Sequence, residues 1–430
     1  MAIKYGDLKI PIPAASERGI TEFFPFGNGR LVSQLRSKLR GIKPTATQST
    51  YTGEIEQMAT LLSEFAQIPD PRIDRNKRHK LLDIVIITTC ASICGANTWE
   101  DIECYGHSKY NWLKTFLELP NGIPSNDTFR RVFILLSPDA FRNCFINWIE
   151  SIKELFPNNV VSIDGKTLRG SHNKKDGKSG IHMVSAWASE MNMVLGQLKT
   201  EEKSNEITAI PELLDLLDIS GCIVTIDAMG CQKKIAAKII DKGADYVLAL
   251  KKNQGTLYND VKLFFQDAKG TDFKDTTNSY YETTDGDHGR VEIRRHWLVS
   301  DIEWLDAKPL WSGLNSIGMI ERERHINDQV TSETSYYILS RQCDGKVFAE
   351  SVRKHWGIEN KLHWSLDVSF REDECRKRTG NSAENFAMVR HIALNLLKQE
   401  NSLKKSINTK RLKAGWDDTY LMKVLGVNTI

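Results

Sequence analysis

Three carboxylates stand where chemistry can be built around them. Val160-Val-Ser-Ile163 ends in Asp164-Gly165, and Ile223-Val-Thr-Ile226 ends in Asp227-Ala228. Each reads as two aliphatics, a hydroxyl residue, Ile, Asp and a small residue, a short buried strand with an Asp at its carboxyl end. Open α/β sheets gather their ligands at that end of their strands. One such Asp alone is as readily a turn former or a helix cap; two matching copies weaken that reading. The third carboxylate is Glu359. Phe348, Val352, Trp356, Glu359, His363 and Leu366 recur at spacings of three and four, one face of a helix, so Glu359 falls on an apolar stripe. Burying an ionised carboxylate is costly without a cation or donor, and here that is either a bound metal or a salt bridge to a residue such as Arg353. Three oxygen ligands at one sheet edge suit a hard divalent ion, Mg2+ or Mn2+, rather than zinc. Two such ions can activate a water or a 3′-hydroxyl on one side of a phosphodiester and stabilise the leaving oxygen on the other.

The elements that must position these groups follow from the patterning. Residues 53–155 read as helices, including an apolar one from Leu81 and one opened by Ser137-Pro138. From residue 156 the pattern turns to strands: Val160–Ile163, a hairpin of Met183–Ala188 with Val194–Lys199, a helix to Leu217, Ile223–Ile226, a helix Lys233–Ile240 and Tyr246–Leu250. That is a mixed α/β layout. Residues 276–341 carry short alternating segments and read as a β-rich insertion, and a long helix resumes after Asp344-Gly345.

Composition sets the frame. With 430 residues, 40% hydrophobic and 26% charged, the chain is an ordinary globular protein of two or three packed units, not a fibre or a low-complexity chain. Its net charge of +3 conceals an uneven distribution: residues 1–50 and 371–430 each carry +5, which leaves −7 between them. Basic ends around an acidic middle suit an enzyme that gathers cations centrally and holds a polyanion at its edges, although solvated surface charge has the same signature. Eight scattered cysteines without a C-x-x-C pair point to reduced thiols. The longest apolar run, Ile84–Ala96, is too short to span a bilayer, and the N-terminus has no signal-peptide pattern. The expectation is a cytoplasmic protein with no membrane partner.

The motifs around these carboxylates resemble the DDE transposases of bacterial insertion sequences, the group that includes the H-repeat-associated proteins. The resemblance spans residues 55–400 and rests on Gly122-Ile-Pro-Ser-Asn-Asp-Thr-Phe-Arg-Arg131, Ile163-Asp-Gly-Lys-Thr-Leu-Arg-Gly170, Lys203-Ser-Asn-Glu-Ile-Thr-Ala-Ile-Pro211, Val224-Thr-Ile-Asp-Ala-Met-Gly-Cys-Gln232, His288-Gly-Arg-Val-Glu292 and His355-Trp-Gly-Ile-Glu-Asn-Lys-Leu-His-Trp-Ser-Leu-Asp367. It implies a ribonuclease-H-like catalytic core (156–275 and 342–400) interrupted by the β-rich insertion (276–341). The core is preceded by an all-helical N-terminal domain (53–155) and a poorly structured basic leader (1–52), and followed by a basic tail (401–430).

It further implies Asp164, Asp227 and Glu359 as catalytic metal ligands for Mg2+ or Mn2+. The partner implied is double-stranded DNA, transposon terminal inverted repeats and target, bound by a homo-oligomer. A pattern of the broader class, Y-x-x-R-x-x-x-E-x-x-x-x-x-x-K, is not met, since its offsets from Glu359 hold Val352, His355 and Leu366. Arg353, Lys354 and Lys361 are then the candidates for phosphate contacts near the Glu. Lys166 and Arg169 after the first Asp, Lys251 and Asn253 after the strand ending at Leu250, and His288 and Arg290 in the insertion are the other expected DNA contacts, against solvated loops or exposed cross-strand pairs. His363 reads as a core or supporting histidine rather than a ligand, and Trp356 and Trp364 as core. Two rivals share these residues: a ribonuclease-H-like nuclease without strand transfer, and an inactive domesticated DNA-binding protein.

Overall fold

A computed structural model of the chain describes residues 58–172, 179–201, 206–287, 290–326 and 329–427. The expected leader, 1–52, and His288 lie outside them. A helical run at 58–65 leads into α1 (Leu81–Ile93), α2 (Trp99–Ser108), α3 (Asn126–Leu135) and α4 (Pro138–Ile152). Ser137 caps α4 by accepting from the Ala140 amide, with Pro138 in the first turn. Helix α1 is buried along nearly its whole length, as befits a helix apolar all round.

Nine strands form one sheet in the order β3-β2-β1-β4-β5-β9-β8-β7-β6. They are β1 (Val160–Leu168), β2 (Ile181–Ala188), β3 (Met193–Lys199), β4 (Ile223–Ile226), β5 (Asp245–Leu250), β6 (Ser279–Asp287), β7 (Arg290–Val299), β8 (Ser316–Ile326) and β9 (Gln329–Leu339). Strands β1, β4 and β5 run parallel, and β2 and β3 fold back antiparallel on the β1 edge. Helices α5 (Glu206–Asp215), α6 (Lys233–Asp241) and α7 (Gly255–Gly270) join the strands. Strands β6 to β9 form an antiparallel meander that does not stand apart from the rest. Its last strand pairs with β5, Val247 to Leu250 against Leu339 to Tyr336, and so closes an edge whose amides and carbonyls would otherwise lack partners.

Helix α8 (Gly345–Gly357) leads through a π-helical turn (Ile358–His363) into α9 (Trp364–Val368), and α10 (Ser382–Gln399) follows. Helix α10 packs against α1, α3 and α4 as well as β3, so the helices and the sheet share one apolar core. The stretch expected as a basic tail, 401–430, instead carries α11 (Ile407–Trp416) and α12 (Asp418–Val424). Tyr420, Leu421 and Val424 are buried in the shared core, and Lys410 hydrogen-bonds the Leu397 carbonyl at 2.9 Å. Apolar residues between the charges, rather than net charge, decide that this segment packs. Among the described residues, no helix is long and apolar enough to cross a membrane.

Candidate active site

Parallel pairing of β1 with β4 ends at Ile163 and Ile226, so the next residue on each strand is an Asp: Asp164 and Asp227. Adjacent strands lie about 4.8 Å apart, which places the two carboxylate-bearing residues side by side at one sheet edge. Asp164 is not at a strand end, as its motif suggested. Strand β1 continues to Leu168 because β2 pairs with it throughout, Asp164 opposite Ser185. Asp227 does end its strand. Its Oδ1 accepts from the Met229 and Gly230 amides at 2.9 and 3.2 Å, a turn that turns the chain toward α6.

Glu359 comes from across the cavity, and its helix corrects the expected stripe. Phe348, Val352 and Leu366 are buried as expected, but Trp356 is 44% exposed and the Glu359 side chain 53%. Trp356 lies on the last turn of the regular α-helix, whereas Glu359 lies in a π turn in which the Trp364 amide donates to the Glu359 carbonyl, five residues back. That wider turn re-phases the helix. The buried stripe continues through Ile358 and Leu362, and Glu359 is turned out of the core.

Asp164, Asp227 and Glu359 line one cavity of about 750 Å³, together with Lys251, His355 and Arg322. Within it Asp164, Glu359 and His363 form the tighter group, with one ligand atom from each inside 4.8 Å of the others. His363 Nδ1 lies 3.6 Å from Asp164 Oδ2 and 3.5 Å from Glu359 Oε2. Asp227 shares the cavity but is not in that group. Burial pushes the Asp164 carboxyl up to about 7, with His363 opposing and Glu359 adding. Hydrogen bonding to His363 holds Glu359 below its ordinary value against the effect of burial. Two carboxylates meeting in a partly buried cavity are a donor set that a hard divalent cation fits, since the ion would relieve both burial and mutual repulsion.

His355, the residue at the unmet Arg offset, is a site residue the sequence did not single out. Its Nδ1 lies 3.0 Å from Thr225 Oγ1, whose hydroxyl donates to Ser162 Oγ at 3.1 Å, so α8 is pinned to β4 and β1 just below the two Asp residues. Burial holds its imidazole below the usual histidine range, with Asp227 pulling the other way.

The expected DNA contacts divide. Lys251 lines the cavity. Lys166 does not face solvent: its ammonium is paired with Asp367 and with Glu372, the latter at 2.9 Å, because β1 runs on past Asp164 into the fold. Asn253 is likewise spent internally, donating to the Ala228 carbonyl at 2.7 Å and so holding the loop after Asp227. Arg169 is exposed beside Asp373. Arg353 and Lys361 line a neighbouring concavity, where Lys361 donates to Asn192 Oδ1 at 2.9 Å. Arg290 joins a cluster around Glu292. Trp356 and Trp364, expected in the core, are both substantially exposed.

Residues 156–396 match the family described as Transposase DDE domain, and residues 62–149 match the one described as DDE_Tnp_1-associated. The chain belongs to the DDE transposase family. It is 42% identical over 375 residues to the "H repeat-associated putative transposase YhhI" of Escherichia coli (strain K12), covering 86% of this chain and 98% of that protein. It is 43% identical over 371 residues to the "Putative transposase YncI" of Escherichia coli O157:H7, covering 85% and 94%. The solved piggyBac transposase synaptic complex with hairpin DNA overlaps 86% of this chain and 80% of its own at a TM-score of 0.41 and 11% identity, too distant a likeness to bear on function.

Proposed function

We propose that this transposase binds the terminal inverted repeats of its element as a homo-oligomer, cleaves a strand at each end and joins the freed 3′-hydroxyl to target DNA. Asp164, Asp227 and Glu359 are its catalytic and metal-holding residues on a ribonuclease-H-like core, with Mg2+ as the ion and Mn2+ able to replace it. The observation that carries this reading is the register of β1 and β4, which sets Asp164 and Asp227 side by side at the cavity that Glu359 also lines from the π turn after α8. When bound, the divalent ions supply activation of the attacking oxygen and neutralisation of charge at the phosphate.

The chain's own residues do the rest. Asp164 and Asp227 hold their positions through two strands whose pairing leaves little freedom. His363 sits between Asp164 and Glu359 and keeps both carboxylates turned to one point. His355, through Thr225 and Ser162, fixes the distance between helix and sheet. Lys251 on the cavity wall contacts the DNA backbone, with Arg353 and Lys361 on the outer side of α8 continuing the path. DNA is reached in the cytoplasm, at the nucleoid.

The test is strand transfer. Purified protein is incubated with Mg2+, a supercoiled target plasmid and a precleaved duplex bearing the repeat that flanks its gene. Joined products are expected; a protein that cuts intact end DNA in a parallel reaction but joins none of the precleaved duplex would replace this reading by that of a nuclease.

A further inference from the structure

The meander carries an arginine face. In β8, Glu321-Arg322-Glu323-Arg324 alternates, so the two arginines project to one side of the sheet and the two glutamates to the other. The glutamate side is answered by Lys269 and Arg295. On the arginine side, β7 sets Glu292 opposite Arg324 and Arg294 opposite Arg322. Helix α8 lies over this same side, with Trp356 against the Arg322 guanidinium at 5.7 Å from the ring centroid. Arg322 and Arg324 line the cavity that holds Asp164, Asp227 and Glu359.

One carboxylate organises this face. Glu292 is 4% exposed and meets four guanidiniums: Arg290, Arg294 at 2.6 Å, Arg322 at 3.3 Å and Arg324 at 3.5 Å. Asp285 and Glu333 each take one further contact, from Arg294 and Arg322. The inner pair, Arg294 and Arg322, are 10% and 15% exposed and form a floor, whereas Arg290 and Arg324 are 45% and 40% exposed. Arg322 and Arg324 approach Glu292 through their buried Nε atoms, at ion-pair distance but without a hydrogen bond, which leaves the terminal nitrogens of Arg324 free of that contact. A single buried carboxylate shared by four guanidiniums leaves them donors to spare, and guanidinium forks match phosphate oxygens.

We propose that Glu292 is a positioning residue: it fixes Arg322 and Arg324 as a phosphate-binding wall of the cavity, with Arg290 and Arg294 held beside them on the same face, and the ligand is the phosphodiester backbone of DNA on its way to the carboxylates. The inference rests on the cavity being the DNA-cleaving site. Its test reads binding alone, so it fails separately from that reading. Backbone contacts carry no sequence information, so the probe is a labelled random-sequence duplex, titrated with full-length protein over a salt series without divalent ions.

Glu292→Gln removes one negative charge, and a purely electrostatic surface would then bind DNA more tightly. Positioning requires the opposite, a loss of about ten-fold in affinity, with an unfolding midpoint close to wild type. Arg324→Ala, at the more exposed of the two cavity-lining arginines, lowers the slope of log affinity against log salt by about one. In the Glu292→Gln background the same Arg324→Ala change has little further effect. Equal or tighter binding by folded Glu292→Gln protein overturns the proposal, and so does an unchanged salt slope in Arg324→Ala. Should Glu292→Gln fail to fold, the Arg324→Ala slope decides by itself.

Discussion

Lys166 shows how far apart a residue's sequence context and its task can lie. Two residues after Asp164 and close to Arg169, it reads as a phosphate contact, yet its partners are Asp367 and Glu372, some two hundred residues on. Nothing local in the sequence announces that pairing, and for that reason it was not legible. The pair is buried, with Glu372 at 2% and Lys166 at 12% exposure. Removing one partner leaves the other charge uncompensated, so Lys166→Ala is expected to destabilise the protein by about 3 kcal/mol, read as a fall in the denaturant midpoint. Its salt slope of DNA binding should not change; a change without loss of stability would restore Lys166 as a DNA contact. Burial by itself would raise the Glu372 pKa, but Lys166 and Arg390 pull it below its ordinary value. The folded state therefore binds that proton less tightly than the unfolded chain. The stabilisation is full above the ordinary glutamate range and is lost as pH falls through the lowered value. The gap between wild type and Lys166→Ala should accordingly narrow from about pH 7 to about pH 3.

At the scale of elements, what the sequence could and could not convey follows from how each element is encoded. Strand β4 is legible to the residue, Ile223–Ile226, because a short buried strand of a parallel sheet is an uninterrupted apolar run closed by a polar residue. Strand β1 is longer than its apolar run, since pairing with β2 extends it through polar residues. The helix bearing Glu359 misleads for a different reason: spacings of three and four assume an unbroken α-helix, and the π turn at Ile358–His363 inserts its own phase. What seats that helix is Gly318 on β8. A Cβ added there would stand 2.5 Å from the Phe348 ring, so the sheet admits α8 only because the side chain is missing. Gly318→Ala is expected to cost about 1–3 kcal/mol by overpacking, and to lower cleavage more than stability explains because α8 leads directly into the π turn that carries Glu359. Thermal unfolding and a cleavage assay on the same preparation check this. Phe348→Leu in the Gly318→Ala background should recover part of both, and a Gly318→Ala protein with unchanged stability and rate would show that α8 is not held by this contact.

Over the whole molecule, the sheet is continuous where the sequence suggests pieces. The strands of the meander follow local alternation, but its pairing with β5 is a long-range event that alternation does not encode. The same is true of α10, which joins the helical segment to the sheet, and of α11 and α12, whose positive charge masked a packed face. The continuity brings arginines from β8 and the Glu359 carboxylate, from the π turn after α8, to the edge where β1 and β4 place theirs. On the proposed reading, the acidic middle of the chain is partly a cation site and partly the counter-charge of that face. The central claim is that Asp164, Asp227 and Glu359 act together although only two of them lie in the tighter group with His363. The measurement that tests it most directly is Mg2+-dependent cleavage of end DNA by Asp164→Asn, Asp227→Asn and Glu359→Gln proteins, each with its DNA affinity measured alongside. All three should lose at least about a thousand-fold in rate, about 4 kcal/mol of barrier, while binding DNA as well as wild type. Cleavage near the wild-type rate by any one of them, Asp227→Asn above all, would contradict the account.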